Sequence, residues 1–342
     1  MAWPDPRPLR LLVIRYRFIG DTVLAIPFLR NLRAAFPNAV IDVLAEPVSG
    51  DTLIHCPYKN ELLYYGPRLK GEAKRRASFP TSLWSCAQML RARRYDRVYI
   101  LRRSFSSAIL PRLAGIPHRV GFATEGRGWL LQRSTPYPDK HEVECFLDLL
   151  RADGIPVVDT FNENWSDPAI DARVAAALPA SGRRRIFLTA KSNHIAKDWR
   201  PEHFAAVAAW LISERACEIH VCDTPSNTAY YASIRDRLPA SVQSHWHDWS
   251  TLLSLGQTSS LLRTMQAYVG VDTGLAHLSA SFHVPMVVLI VPWMIKRWRP
   301  WDTRHELIIG APQASGPAFA SIGVAEVQGA IDRIFIALPP HS

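Results

Sequence analysis

The chain has 342 residues, of which 48% are hydrophobic and 20% charged, with a formal net charge of +10. This composition excludes a disordered chain, and the length suits two domains of about 150 residues or one large one. The positive surplus asks for an acidic partner: nucleic acid, anionic lipid or a phosphorylated substrate.

Met1 to Arg10 is rich in Pro and Arg and has no apolar signal-peptide core. The longest apolar run, Val284 to Ile295, is too short to span a bilayer. A soluble or peripheral cytoplasmic protein is therefore expected. Cys56, Cys86, Cys145, Cys217 and Cys222 are scattered, with no C-x-x-C pair. Reduced thiols follow, rather than a disulfide framework or structural zinc.

In chain order, Leu9 to Arg15 reads as a buried strand. After the turn at Gly20-Asp21, Leu24, Phe28, Leu29, Leu32 and Phe36 recur at helical spacing. Pro27 means that this helix begins or kinks there. Val40 to Ala45 is the next strand, which completes a β-α-β unit of a doubly wound parallel sheet. The alternation continues with a helix from Leu83 to Arg93 and a strand from Tyr95 to Leu101. Ser106 to Ala114 is helical, Arg119 to Phe122 is a short strand, and Val143 to Ala152 is a helix. A linker lies within residues 153–182, which predicts domains at 1–165 and 166–342. The second half restarts with strand Ile186 to Thr189, helix Pro201 to Arg215 and strand Glu218 to Cys222. Strand Tyr268 to Val271 then leads into a helix through Ser281, strand Met286 to Val291 and a closing helix Val324 to Ala337. The fold class is α/β, with two Rossmann-like domains whose parallel sheets face a cleft.

Four places could carry chemistry. Gly20-Asp21 follows a strand and opens a helix, so Asp21 is either a helix cap or a base for a substrate hydroxyl. Thr189-Ala190-Lys191 and Lys197-Asp198-Trp199-Arg200-Pro201 flank a strand end and a helix start. They suit a diphosphate, or form a solvated polar loop. Val271-Asp272-Thr273-Gly274-Leu275-Ala276-His277 ends a strand on an acid and turns into a helix, where Asp272 again has a capping alternative. The fourth is the basic stretch Arg68, Lys70, Lys74, Arg75, Arg76, Arg91, Arg93, Arg94, Arg97, Arg102, Arg103, Arg112 and Arg119, opposed only by Glu72 and Asp96. It is a solvated face or a surface for a polyanion. There is no G-x-G-x-x-G, P-loop or D-x-D pattern, and no His/Asp/Glu group has metal-ligand spacing. No metal and no cofactor are expected.

Taken together, these residues resemble glycosyltransferase family 9, the ADP-heptose:lipopolysaccharide heptosyltransferases, over about residues 9–305. The resemblance is carried by Ile19-Gly20-Asp21-Thr22-Val23-Leu24, by Ser104 to Ala108, by Ala114-Gly115-Ile116-Pro117-His118-Arg119 and by Asp272 to His277. The middle segment is closest to the heptosyltransferase II branch. The resemblance implies a GT-B fold, inversion at the anomeric carbon and no required metal. It makes Asp21 the general base, Lys197 the diphosphate lysine and Thr189 a phosphate-contacting hydroxyl. Asp272, Thr273, Gly274, Leu275 and His277 form the donor loop, and Gly20, Arg103, Ser104 and Arg119 serve the acceptor. The implied partners are ADP-heptose and an anionic glycolipid at the cytoplasmic membrane face, with no nucleic acid. The alternatives are a nucleotide-sugar epimerase of the same architecture and a basic nucleic-acid-binding protein. Three features depart from the family pattern. There is an extra residue between Trp199 and Pro201. Asn227 stands where an acid is expected after the next strand. The stretch from Thr258 to Asp272 is shortened.

Overall fold

A computed structural model describes residues 7–15, 17–192, 197–311 and 317–338. The Pro- and Arg-rich start, Met1 to Pro6, lies outside them. The chain divides into two units between Phe161 and Asn162. The division falls earlier than the expected 165/166 boundary because the end of the linker is tied to the second unit. There the Asn162 backbone N–H donates to Asp302 Oδ2 (2.9 Å).

The first unit is a six-stranded sheet in the order β3-β2-β1-β4-β5-β6. Its strands are β1 Arg10–Ile14, β2 Val40–Ala45, β3 Glu61–Tyr64, β4 Arg97–Ile100, β5 His118–Phe122 and β6 Arg133–Thr135. Every pairing is parallel. Parallel strands covered on both faces must be apolar throughout, and Leu11 to Ile14 are fully buried. Of the two outcomes expected at Pro27, the helix begins there, at Ile26–Ala35, and a separate short helix, Ile19–Val23, precedes it. Pro27 falls in the first turn of the longer helix, where its missing N–H costs nothing.

The second unit repeats the architecture in the order β12-β11-β10-β7-β8-β9. Its strands are β7 Arg184–Thr189, β8 Cys217–Val221, β9 Trp246–Asp248, β10 Ala267–Val271, β11 Met286–Ile290 and β12 His305–Ile309, again all parallel. Helices Pro201–Glu214 and Val324–Ile336 bury Phe204, Val207, Leu211, Ile331 and Ile334 against the strands. Gly270 of β10 pairs with Thr189 of β7, and a Cβ there would stand 2.2 Å from the Thr189 carbonyl oxygen. The shortened stretch begins inside helix Leu255–Leu262, which runs on to β10 through a four-residue turn. Among the described residues, no helix is long and apolar enough to cross a membrane.

Candidate functional site

In open α/β sheets, ligands sit beyond the carboxyl ends of the strands where the strand order reverses. In the first unit that point lies between β1 and β4, and in the second between β7 and β10. The sequence-predicted acids both fall there, Asp21 after β1 and Asp272 directly after β10.

The approach to Asp21 is strained. Arg17 (φ 79°) and Phe18 (φ 54°) are consecutive non-glycine residues in left-handed backbone, each costing on the order of 1–3 kcal/mol. They turn the chain sharply into helix Ile19–Val23, which holds Asp21 in its first turn and buries Gly20. The helix has no side-chain cap, so Asp21 is not the capping residue that its position allowed. Its carboxylate instead forms an ion pair with Arg15 Nη2, and Arg15 Nε donates to the Asp21 carbonyl (3.2 Å). The Arg15 side chain is 3% exposed and the Asp21 side chain 18% exposed, so the acid is the member of the pair that solvent can reach.

Three further residues belong to this neighbourhood, and local sequence pattern pointed to none of them in that role. Tyr137 donates its hydroxyl to Glu142 Oε2. Glu142 lies buried in the first turn of helix Glu142–Ala152. Phe146, one turn along that helix, carries the Arg15 guanidinium over its ring at 5.6 Å. Burial and the nearby Asp21 carboxylate raise the pKa of Glu142, against the opposing effects of Tyr137, Arg15 and Arg103. Arg103 is exposed, with its guanidinium 4.4 Å from the centre of the Tyr137 ring.

The other expected acceptor residues have different fates. Ser104 precedes helix Phe105–Leu113, and its carbonyl accepts from Ser107 Oγ (2.6 Å) and Arg127 Nη1 (2.9 Å). Arg119 leaves the group: it is buried, with its guanidinium committed to the carbonyls of Leu130 (2.7 Å), Ile116 (2.5 Å) and Pro117 (3.2 Å). It clamps the loops around β5. The expected basic face breaks up in the same way. Arg93 pairs with Glu61, Arg97 pairs with Asp153, and Arg91 donates to the Leu113 carbonyl. Lys74, Arg75 and Arg76 are exposed.

In the second unit Lys197 and Asp272 meet. Lys197 Nζ donates to Asp272 Oδ2 (2.7 Å) and to its carbonyl (3.0 Å), and both side chains are under 10% exposed. His277 Nε2 stands 3.6 Å from Asp272 Oδ1. Helix Gly274–Ala280 follows Thr273 and has no side-chain cap, so the capping alternative for Asp272 also falls. Trp199 explains how the Lys-Asp-Trp-Arg-Pro segment is set. Its indole is buried, donates to the Ile322 carbonyl (3.0 Å) and packs edge-on against Phe204, which anchors the chain two residues beyond Lys197.

Thr189 is tied into the sheet. It is buried, and its hydroxyl bonds the Tyr268 hydroxyl. Tyr268 in turn donates to the Val271 carbonyl (2.8 Å). Thr189 thus braces the β7–β10 seam. An acid does follow β8: Asp223 accepts from Tyr231 (3.0 Å) and from the Thr224 N–H (2.6 Å). Asn227 ends the short helical turn Pro225–Asn227 beyond it.

One cluster corrects the expectation that no group has metal-ligand spacing. Atoms of Glu218, His220 and His247 lie within 4.8 Å of one another. The sequence hid this because β8 and β9 bring the residues together by pairing His220 with His247. The Trp249 indole N–H donates to His220 Nδ1 (3.1 Å). An indole nitrogen only donates, so Nδ1 is unprotonated and the neutral ring carries its proton on Nε2, facing Glu218. That tautomer has no lone pair for a cation at Nε2. Burial, with His247 and Arg185 nearby, lowers the His220 pKa to about 3. Burial also lowers the His247 pKa, so the two imidazoles are an acid-sensitive part of the sheet.

Two doubly wound parallel sheets, each with a charged pair at its switch point, define an α/β protein of the GT-B type. The chain belongs to glycosyltransferase family 9 (heptosyltransferase), matched over residues 83–321, and is a glycosyltransferase. It is 28% identical over 305 residues to lipopolysaccharide heptosyltransferase 2 of Escherichia coli (strain K12), covering 83% of each chain. Its fold is similar to that of ADP-heptose lps heptosyltransferase II of E. coli, with TM-score 0.81, 24% identity and coverage of 96% of this chain and 99% of the other. It is also similar to a glycosyl transferase family 9 protein from Veillonella parvula DSM 2008, with TM-score 0.84, 16% identity and coverage of 96% and 98%. The enzyme class replaces the epimerase and non-enzyme alternatives.

Proposed function

We propose that this enzyme transfers a heptosyl group from ADP-heptose to the inner core of lipopolysaccharide, with inversion and with Asp21 as general base. The names of the related heptosyltransferases support the sugar and the acceptor. The observation that carries the mechanism is the Asp21 carboxylate: at the switch point, oriented by buried Arg15, and itself within reach of solvent. As the acceptor hydroxyl attacks the anomeric carbon, its proton passes to Asp21. The new C–O bond forms while the bond to the diphosphate breaks, and ADP leaves with the electron pair. Lys197 is the cation for that diphosphate, and in the free enzyme Asp272 holds it in position. The segment Asp272 to His277, with Thr273, Gly274 and Leu275, holds the donor. Gly20, Ser104 and Arg103 face the acceptor, and Arg103 with Lys74, Arg75 and Arg76 attracts its anionic groups and the cytoplasmic membrane surface.

The test is release of ADP when the purified enzyme meets ADP-heptose and a lipopolysaccharide acceptor truncated before the added heptose, with the product weighed by mass spectrometry. Heptose on the acceptor is expected. Conversion of the donor alone, without transfer, would overturn the reading.

A further inference from the structure

A guanidinium beside a carboxylate favours the ionised form and so weakens it as a base, whereas a second carboxylate acts in the opposite direction. The first unit supplies both. Arg15 is bound to Asp21 and lies over the Phe146 ring. Residues four apart on a helix share a face, so Glu142 stands on the face of helix Glu142–Ala152 that carries Arg15. On its other side, Tyr137 bonds the Glu142 carboxyl, and Arg103 covers the Tyr137 ring. The ring is held edge-on by Phe122 at 5.1 Å. Among the described residues, the charged and titratable groups that act on Glu142 include Asp21 and Arg15 after β1, Arg103 after β4 and Tyr137 after β6. His141, beside it in sequence, is turned to the helix start, where Nδ1 accepts from the Val143 N–H (3.3 Å).

We propose that Glu142 is a positioning residue of the proton-transfer centre: held by Tyr137 and facing the Asp21–Arg15 pair, it offsets the guanidinium and sets the strength of Asp21 as base. The inference rests on the reading of Asp21 as that base. Two carboxyls that interact this way titrate as a pair, so the acid limb of the rate profile belongs to both. The direction of the Glu142 shift agrees, since burial first and the Asp21 carboxylate second hold its proton on.

The experiment compares pH–kcat profiles of the wild type, Glu142→Gln, Glu142→Asp and Tyr137→Phe. Glu142→Gln removes the opposing carboxylate. Its acid limb is expected to move to lower pH by about one unit, and its plateau kcat to fall several-fold with the weaker base. Glu142→Asp returns the limb toward the wild type. Tyr137→Phe deprives the Glu142 anion of its donor and moves the limb in the same direction as Glu142→Gln. A Glu142→Gln limb that coincides with the wild type, whatever the change in Tm, overturns the inference.

A second measurement stands apart from turnover and from the folding of the Gln variant. In an infrared titration of the protonated carboxyl band, Asp21→Asn should move the Glu142 midpoint to lower pH, because a like charge is gone. An unmoved midpoint overturns the coupling. Full turnover in Asp21→Asn would instead remove the base assignment, so the two failures are told apart.

Discussion

Asp21 and Asp272 both stand at the switch point of a doubly wound parallel sheet, and each is tied to a cation, yet the two pairs are built differently. At Asp21 the cation is sunk and the acid reaches solvent; at Asp272 both partners are buried, with side-chain exposures of 8% for Lys197 and 3% for Asp272. A buried ion pair gains little net stability, but losing one member strands a charge. The same topology thus carries an acid that solvent can reach in one unit and a buried ion pair in the other.

The contrast breaks if the two acids respond alike. Asp21→Asn keeps an oxygen for Arg15 and removes the base, so kcat should fall about 10²–10⁴-fold while the loss of stability stays smaller than in Asp272→Ala. Donor affinity, measured by calorimetry with ADP, should stay near the wild type. Asp272→Ala should do the reverse in kind. It leaves Lys197 buried without its carboxylate and should cost about 3–5 kcal/mol in denaturant unfolding. An Asp272→Ala protein of wild-type stability would show that the buried pair is not a frame.

The third expectation concerns the edge of the second sheet. His220 is buried, and its pKa is lowered to about 3 from an unfolded value of 6.5. The unfolded chain takes up the proton first, so this stability is complete above 6.5 and is lost as the pH falls toward about 3. By about pH 5 the loss should reach about 2 kcal/mol. His220→Gln, whose carbonyl can still accept from Trp249, should flatten the acid side of the stability curve. A curve as steep as the wild type would assign the acid sensitivity elsewhere.

How much of this was legible in the sequence depended on how local each signal was. β2 appears with the bounds its apolar run predicts, and the strands of both sheet centres lie within one or two residues of theirs. The edge strands β3, β6, β9 and β12 were not legible. Arg133-Ser134-Thr135 and Trp246-His247-Asp248 have one neighbour each and no apolar run, since an edge strand needs neither. The same split runs through the site. Asp21, Lys197 and Asp272 lie in local patterns. Glu142 and Tyr137 reach the vicinity of Asp21 only through packing across more than a hundred residues, and nothing in their immediate sequence marks them. Arg119 shows the converse error, because a basic residue in a basic stretch looks like a surface group until the carbonyls around it are known.

Thr189 sharpens the comparison most finely, because its sequence position at the end of β7 suggested a phosphate and its surroundings suggest a brace. Its hydroxyl proton has one place to go: Tyr268 donates to the Val271 carbonyl, so Thr189 must donate to Tyr268. Thr189→Val keeps the shape and deletes that donor. One lost buried hydrogen bond costs about 1 kcal/mol, which chemical denaturation can measure against a Tyr268→Phe partner variant. If Thr189 only braces the seam, the double variant costs less than the sum of the two single variants, and the donor KM stays within about twofold of the wild type in all three. If Thr189→Val raises the donor KM about tenfold while stability holds, the hydroxyl is turning to the diphosphate during turnover. The second switch point would then be as reactive as the first.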